Sequence, residues 1–443
     1  MKKSDISKDF DPKTLFLFAL PSMMMVLFES TYSVIDGLFV ANFVGKEALS
    51  SINIIIPMLL FFMGLGTMIG IGGSALISKK LGENRVDEAR CDFTLLGVFL
   101  VGLSLFEIVV GYIFVDEILL FLGATPTLFG YAKSYFLIIL FGLPIFLSQF
   151  LFQSFFIVAG RPKLGLYSIV GAGLFHIILD YVYIVWLNMG ISGAALASIC
   201  SSLIPAIVGI VFFASKKSEL YFVMPKWNFK TIWRSCFNGL AEMVGIMAVG
   251  CIAFVFNHTM IDLVGEIGVA AITVILYIEY AFNSIFFGYS IGVVPIFAYN
   301  FGAKNHDRLK RVFKMCVIFI LSLSVFMVLC SLTLAPFIIK IFSNNDIEFY
   351  ELALTGFLIY AFKYFFAGIN IFTAAMFTAY SNGKIAAIIS SIRSFILVVP
   401  MIIILPKFFG LKGIWFAVPI AEAIAFILSV ALIFYARKRY KYL

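Results

Sequence analysis

His176 and Asp180 stand four residues apart in the apolar stretch GLFHIILDYVYIVW, residues 173–186. On a helix that spacing sets both side chains on one face, one turn apart. An imidazole changes charge near neutrality, and a carboxylate in an apolar setting resists ionisation, so the pair suits the handling of a proton or a small cation. Two other polar residues share its depth. Asp180 lies about seven residues before the turn at Asn188 to Gly190, Ser198 about seven after it, and Asp36 about six before Asn42. At 1.5 Å per residue, each is roughly 10 Å from the end of its helix. Taken singly, His176 is compatible with a packed core histidine bonded to a carbonyl, and Asp36, followed by Gly37, with a helix end. Two carboxylates in one apolar layer are harder to accommodate without a shared proton or a cation between them.

The elements that hold this layer are membrane spans. The 443 residues are 62% hydrophobic and only 13% charged, with a mean hydropathy of +1.07, far from the average of soluble domains. Apolar runs repeatedly reach the roughly 20 residues that cross a bilayer. They are too long for barrel strands, which leaves helices as the only spanning structure. Twelve runs lie near residues 14–40, 48–78, 92–115, 127–154, 163–187, 191–215, 230–257, 267–299, 311–339, 350–379, 384–406 and 411–436. The fold class is therefore an all-α polytopic membrane protein. The first run carries Glu29 and Asp36 and has no small-residue cleavage site, so it reads as a retained span.

Charge sets the orientation. Of the 32 Lys and Arg residues, 25 fall on the side that carries both termini, five on the other and two, Lys363 and Arg393, within spans. The positive-inside rule makes the termini cytoplasmic. Residues near Lys80, Lys217 and Arg308 then face the cytoplasm, and Glu117, His258 and Asn344 face outward. The net charge of +8 is this topology signal, and no nucleic-acid partner is needed to explain it. Six cysteines form no CxxC pair, which indicates neither disulfides nor a metal site. GLGTMIGIGG at 64–73 lies within a span with no strand before it, so it reads as small-residue helix packing rather than a dinucleotide loop. An enzyme is disfavoured, because the spans hold no HExxH, nucleophile elbow or cysteine–histidine pair.

A shift of 220 residues aligns FVGKEALSSI (43–52) with LVGEIGVAAI (263–272), LGENRVDEAR (81–90) with FGAKNHDRLK (301–310), and MGISGAALA (189–197) with FGLKGIWFA (409–417). Two pseudo-symmetric six-helix lobes follow, 1–214 and 233–443, joined by a cytoplasmic linker at 215–232. Six spans per half make the repeat parallel, and such halves rock about a central site in alternating access. The acidic layer is not duplicated, since the partners of Asp36 and Asp180 are Phe256 and Pro400. Glu279, Lys363, Arg393 and Glu422 instead sit in spans eight, ten, eleven and twelve, where mutual ion pairing is expected and a substrate contact by Glu279 is the alternative. Glu29, seven residues before Asp36, extends the acidic face towards the cavity. Met23, Met24, Met25, Phe152 and Tyr277 are weaker cavity candidates.

The segments FALPSMMMVLFESTYSVIDGLFVANFVG, GLGTMIGIGGSALISKKLGENRVDEA and GVVPIFAYNFGAKNHDRLK resemble the multidrug and toxic compound extrusion (MATE) family, near its MepA-like branch. The likeness spans nearly the whole chain. It implies export of lipophilic, often cationic compounds by proton or sodium antiport at the plasma membrane, by a chain that functions as a monomer without a cofactor. The resemblance maps the family's first-span aspartate onto Asp36, fifteen residues after Pro21, and its fifth-span aspartate onto Asp180. It maps the hydroxyl and carbonyl of the family's cation site onto Ser198 and Ala194, so that sodium would be held by Asp36, Asp180, Ser198 and a carbonyl. Where the family often has asparagine this chain has His176, which favours protons over sodium. A glutamate that some members carry before GVVP is Ile291 here. A lipid-linked precursor flippase of the wider superfamily is the alternative function, though a cationic cavity would be expected of it, against Glu29, Asp36 and Asp180 here.

Overall fold

The computed structural model describes residues 5–343 and 346–442, with the backbone alone at positions 33, 34 and 38. Asn344, assigned above to the outer side, lies outside the described residues. Among the described residues, eleven helices are long and apolar enough to cross a membrane, and a bent pair supplies a twelfth span. The spans are α1 (Pro12–Val44), α2 (Lys46–Gly82), α3 (Val86–Ile113), α4 (Pro126–Phe141 with Leu143–Val158), α5 (Pro162–Trp186), α6 (Gly190–Ala214), α7 (Phe229–Val264), α8 (Glu266–Gly302), α9 (His306–Ser343), α10 (Ile347–Ala379), α11 (Gly383–Phe409) and α12 (Leu411–Tyr440). Residues 215–228, between α6 and α7, are not helical.

Local chemistry fixes several helix ends. Asp11 caps α1 by accepting the Thr14 N–H at 2.7 Å, while the Thr14 side chain reaches back to the Asp11 N–H at 3.0 Å, a reciprocal box that satisfies two otherwise orphaned donors. Asp346 caps α10 in the same sense through the Phe349 N–H at 3.0 Å. The two halves of α4 meet at Gly142 with a bend of 57°. Pro144 follows, and its missing N–H cannot continue the ladder.

The 220-residue repeat holds at the level of single backbone angles. Gly45 and Gly265, at the turns into α2 and α8, both have positive φ, as do Asn84 and Lys304, and Gly190 and Gly410. The two halves meet where α2 and α8 run close. A Cβ at Gly82 would stand 2.0 Å from the Tyr299 carbonyl oxygen, and one at Gly302 would stand 2.1 Å from that of Lys79. These are repeat partners, so α2 and α8 cross on a local pseudo-twofold at the face that carries the termini. One layer deeper, Gly72 approaches the Ser235 carbonyl and Gly239 that of Met68, at 2.1 and 2.0 Å from their absent Cβ atoms. Only glycine permits such contact. At Gly37 and Gly245, further towards the opposite face, no described atom beyond the chain neighbours and the helix's own backbone lies within 4 Å of a Cβ. The tightest interlobe packing thus lies on one side. An N-terminal strap covers it, with Asp9 paired to Arg311 at 3.1 Å and the Ser7 carbonyl accepting from Arg308 Nη1 at 2.8 Å.

Candidate functional site

Asp36 and Asp180 occupy matching places at the ends of regular helix. In α1 the ladder switches to a π-helical turn at Val40–Val44, four residues past Asp36. In α5 it does so at Tyr181–Trp186, immediately after Asp180. Such wide turns often mark functional sites, because they re-aim side chains and loosen backbone bonding. The packing of α1 on α5 and of α5 on α6 brings both acids, His176 and the serines of α6 into one pocket.

His176 is its centre. Its Nε2 lies 3.4 Å from Asp180 Oδ2 and 3.5 Å from Asp36 Oδ1, and its Nδ1 lies 3.4 Å from Ser201 Oγ. The Tyr32 ring flanks it, 5.6 Å between centroids. Asp180 is fully buried and His176 is 4% exposed. Among the described residues, neither Asp180 oxygen has a conventional hydrogen-bond partner, and Asp36 Oδ1 also lacks one. Buried carboxylates left so are costly unless a proton or cation joins them. One ligand atom from each of Asp36, His176 and Asp180 can be chosen so that all lie within 4.8 Å of one another. That spread is compatible with a small cation ringed by ligands at roughly 2.3–2.6 Å.

The serines fix how the imidazole is used. Ser201 donates its only hydroxyl hydrogen to the Ser198 carbonyl at 2.9 Å, so towards His176 it acts as acceptor. Nδ1 therefore carries a hydrogen, and Nε2 faces the two acids with a lone pair or a second proton. A bare lone pair against two carboxylates is repulsive, so this geometry calls for at least one proton in the Asp36–His176–Asp180 group. Ser198 donates to Ala194 O at 3.1 Å, so the hydroxyl and carbonyl expected at the site engage one another, and Tyr135 of α4 interacts with Ser198 within the field of both aspartates.

The other expected positions divide. Glu29 accepts from Gln149 Nε2 at 3.0 Å and has Tyr32 of its own helix and Tyr280 of the second lobe close by. Tyr277 is 55% exposed on α8, and Met24 is exposed on α1. Met25 and Phe152 are both buried. Met25 is 2% exposed against Gly165, and Phe152 stacks on Phe213 at 5.9 Å over Gly209. Met23 is likewise buried, against Gly288. In the second lobe, Glu279 is bound by Lys363 and Tyr360 and by Asn283 at 3.0 Å. Glu422 is held by Arg393 at 2.6 Å and by Asn370 at 2.6 Å. The four charges pair two and two, as ion pairing within the lobe requires.

Sequence reading passed over several participants. Ser201, Tyr135, Gln149 and Tyr280 are common residue types in spans and carry no signal until the helices are assembled. Glu242 on α7, near Arg393, and Glu107 on α3, with a buried unpartnered Oε2, carried the same intramembrane-charge signal as the others.

A sequence model described as MatE matches residues 21–182 and 236–404. The multidrug export protein MepA of Staphylococcus aureus strain MSSA476 is 25% identical over 435 residues, covering 96% of this chain and 94% of that one. An outward-facing multidrug resistance MATE family transporter of the MOP superfamily superposes with a TM-score of 0.91 at 18% identity, over 99% of this chain and 100% of that chain. A MOP superfamily transporter from Pyrococcus furiosus, described as having a binding pocket of reversed polarity that suggests a different function, reaches 0.90 at 18% identity, over 99% of this chain and 98% of its own. The shared fold is thus common to different pockets, and function rests on the chemistry of the site.

Proposed function

The chain belongs to the MatE family, and from that premise we propose that it exports lipophilic, cationic small molecules across the plasma membrane in exchange for protons bound at Asp36, His176 and Asp180. Both termini face the cytoplasm in this reading, and the lobes 1–214 and 233–443 rock about the linker as rigid halves of a monomer. Likeness to multidrug export proteins along nearly the whole chain supports the transport class. The observation that carries the coupling is the buried group in which His176 Nε2 lies 3.4 and 3.5 Å from two carboxylates otherwise short of partners.

Each species in the cycle has a role at named atoms. With a proton on Nε2, the imidazolium sits between Asp180 Oδ2 and Asp36 Oδ1 and neutralises one of two negative charges. A second proton, on either carboxyl, makes the group neutral. Loss of protons leaves like charges facing one another in a buried pocket, which drives α1 and α5 to rearrange or admit solvent. That is a differential interaction between states, the requirement for a ligand to shift a conformational equilibrium. Glu29, with Gln149, Tyr32 and Tyr280, offers an acidic, aromatic lining suited to a cation with an apolar body. The polarity of this lobe is acidic, which disfavours a carrier of anionic lipid-linked precursors.

The test is efflux by the Asp180→Asn variant in a host lacking its own pumps. Driven efflux should be lost while folded protein remains in the membrane. Adding Asp36→Asn should cost little more, because groups that act as a unit are not additive. Full resistance with Asp180→Asn would refute the assignment.

A further inference from the structure

Lys384, Ala387, Ile388, Ser391, Ile392 and Ile396 form one stripe of α11 and, with Phe237 of α7, line a groove of about 290 Å³. Twelve residues separate its ends, roughly 18 Å at helical rise, close to one leaflet of a core about 30 Å thick. The stripe is apolar except for Ser391 and for Lys384 at the end nearest the termini.

A cluster of cations stands at that end. Gly383 packs directly on the Phe237 carbonyl, where a Cβ would come within 2.3 Å, so Lys384 begins beside Phe237. Arg234 and Lys230 lie one and two turns nearer the start of α7, and Lys226 just before it. All four are exposed, and among the described residues none has a carboxylate within 4.0 Å. Some other basic groups on this face are paired, such as Lys80 with Asp92 at 2.5 Å, Arg90 with Asp87 at 2.9 Å and Arg311 with Asp9 at 3.1 Å, whereas Lys310, Lys314 and Lys438, like the four here, have no carboxylate within 4.0 Å among the described residues. Trp233 stacks on Phe237 with centroids 6.4 Å apart. Trp227, Phe229 and Trp233 are 71%, 67% and 61% exposed, as aromatics at a membrane interface are.

We propose that this groove is a binding site for an anionic phospholipid of the cytoplasmic leaflet, its phosphodiester among Lys230, Arg234 and Lys384 and one acyl chain along the α11 stripe. Uncompensated cations at one end and a leaflet-length apolar track at the other match the two halves of such a lipid. A zwitterionic lipid fills the track but leaves the cations uncompensated, and a free phosphate meets the cations but leaves the track bare. The leaflet follows from the proposed orientation, and the site is independent of the transport reading.

Native mass spectrometry of the purified full-length chain with phosphatidylglycerol, phosphatidylcholine or glycerol phosphate tests this. Retained phosphatidylglycerol should exceed phosphatidylcholine by about tenfold, the result of several cations acting at once, and glycerol phosphate should not be retained. The triple variant Lys230→Gln, Arg234→Gln, Lys384→Gln should lose the preference. A control with Lys310→Gln, Lys314→Gln and Lys438→Gln, exposed on the same face, should keep it. Ala387→Trp fills the track without touching charge and should also abolish retention. Equal retention of the two lipids by the unaltered chain, which needs no variant to fold, overturns the proposal. So does a preference that survives the triple variant or Ala387→Trp, and capture of glycerol phosphate alone would mean a headgroup site without the groove.

Discussion

At the scale of residues, proton binding in the proposed site turns on where the hydrogens of His176 are. Ser201 accepts at Nδ1 because its own hydrogen is committed to the Ser198 carbonyl at 2.9 Å, which aims Nε2 at the acids. Ser201→Ala removes that acceptor and with it a hydrogen bond that favours the imidazolium. The pH profile of efflux should then shift to lower pH by up to about one unit, the scale of one charge-assisted hydrogen bond. An unchanged profile would detach the serine from the coupling group. His176→Asn replaces a titrating ring with an amide oxygen, a ligand that hard cations accept. Efflux should lose its response to a pH gradient and gain one to sodium. The pair at 176 and 180 was legible in the sequence because charge inside a span is rare and its spacing set both on one face. Ser201 and Tyr135 were not, since a serine or tyrosine in a span is ordinary until a partner from another helix stands beside it. Phe152 and Met25 are candidates by residue type alone, and type does not tell a cavity wall from a core.

At the scale of elements, the glycine crossings decide how the lobes can close. Gly82 and Gly302 each leave room for a carbonyl of the facing helix where a methyl would stand. Gly82→Ala forces α2 from α8 and should cost about 1–3 kcal/mol in the state closed on this face. Efflux should fall, and cysteines placed near Lys79 should become more accessible from the cytoplasm. Gly102→Ala is the contrast, since nothing lies within 4 Å of a Cβ there. It should leave transport intact and raise thermal stability slightly, by roughly 0.5–1 kcal/mol at a helix interior. Equal loss in both variants would mean that helix propensity, not the crossing, is at stake. The repeat was legible because motifs at the helix ends align without a gap at 220. The π-helical turns were not, because hydropathy carries no mark of them, and the bend in α4 has only the local signal of Gly142 and Pro144.

At the scale of the whole molecule, orientation and energy source complete the account. A cysteine at position 217 or 308 should resist a membrane-impermeant label in sealed cells, and one at 117 or 258 should react. Labelling at 217 would overturn the orientation drawn from 25 of 32 basic residues on one side. The buried acids and histidine lie in the first lobe, and Glu279 with Lys363 and Glu422 with Arg393 pair within the second, so the proposed coupling is assigned to the first. Exchange of one proton for a monovalent cation moves no net charge and draws only on the pH difference, about 1.4 kcal/mol per unit. A second proton would add about 2.3 kcal/mol per 100 mV. Efflux in everted membrane vesicles with each gradient imposed alone separates a proton site from a sodium site. A pH gradient in sodium-free buffer should drive transport, and a sodium gradient with pH clamped should not. Transport that follows sodium and ignores pH would contradict the assignment of Asp36, His176 and Asp180 as a proton site.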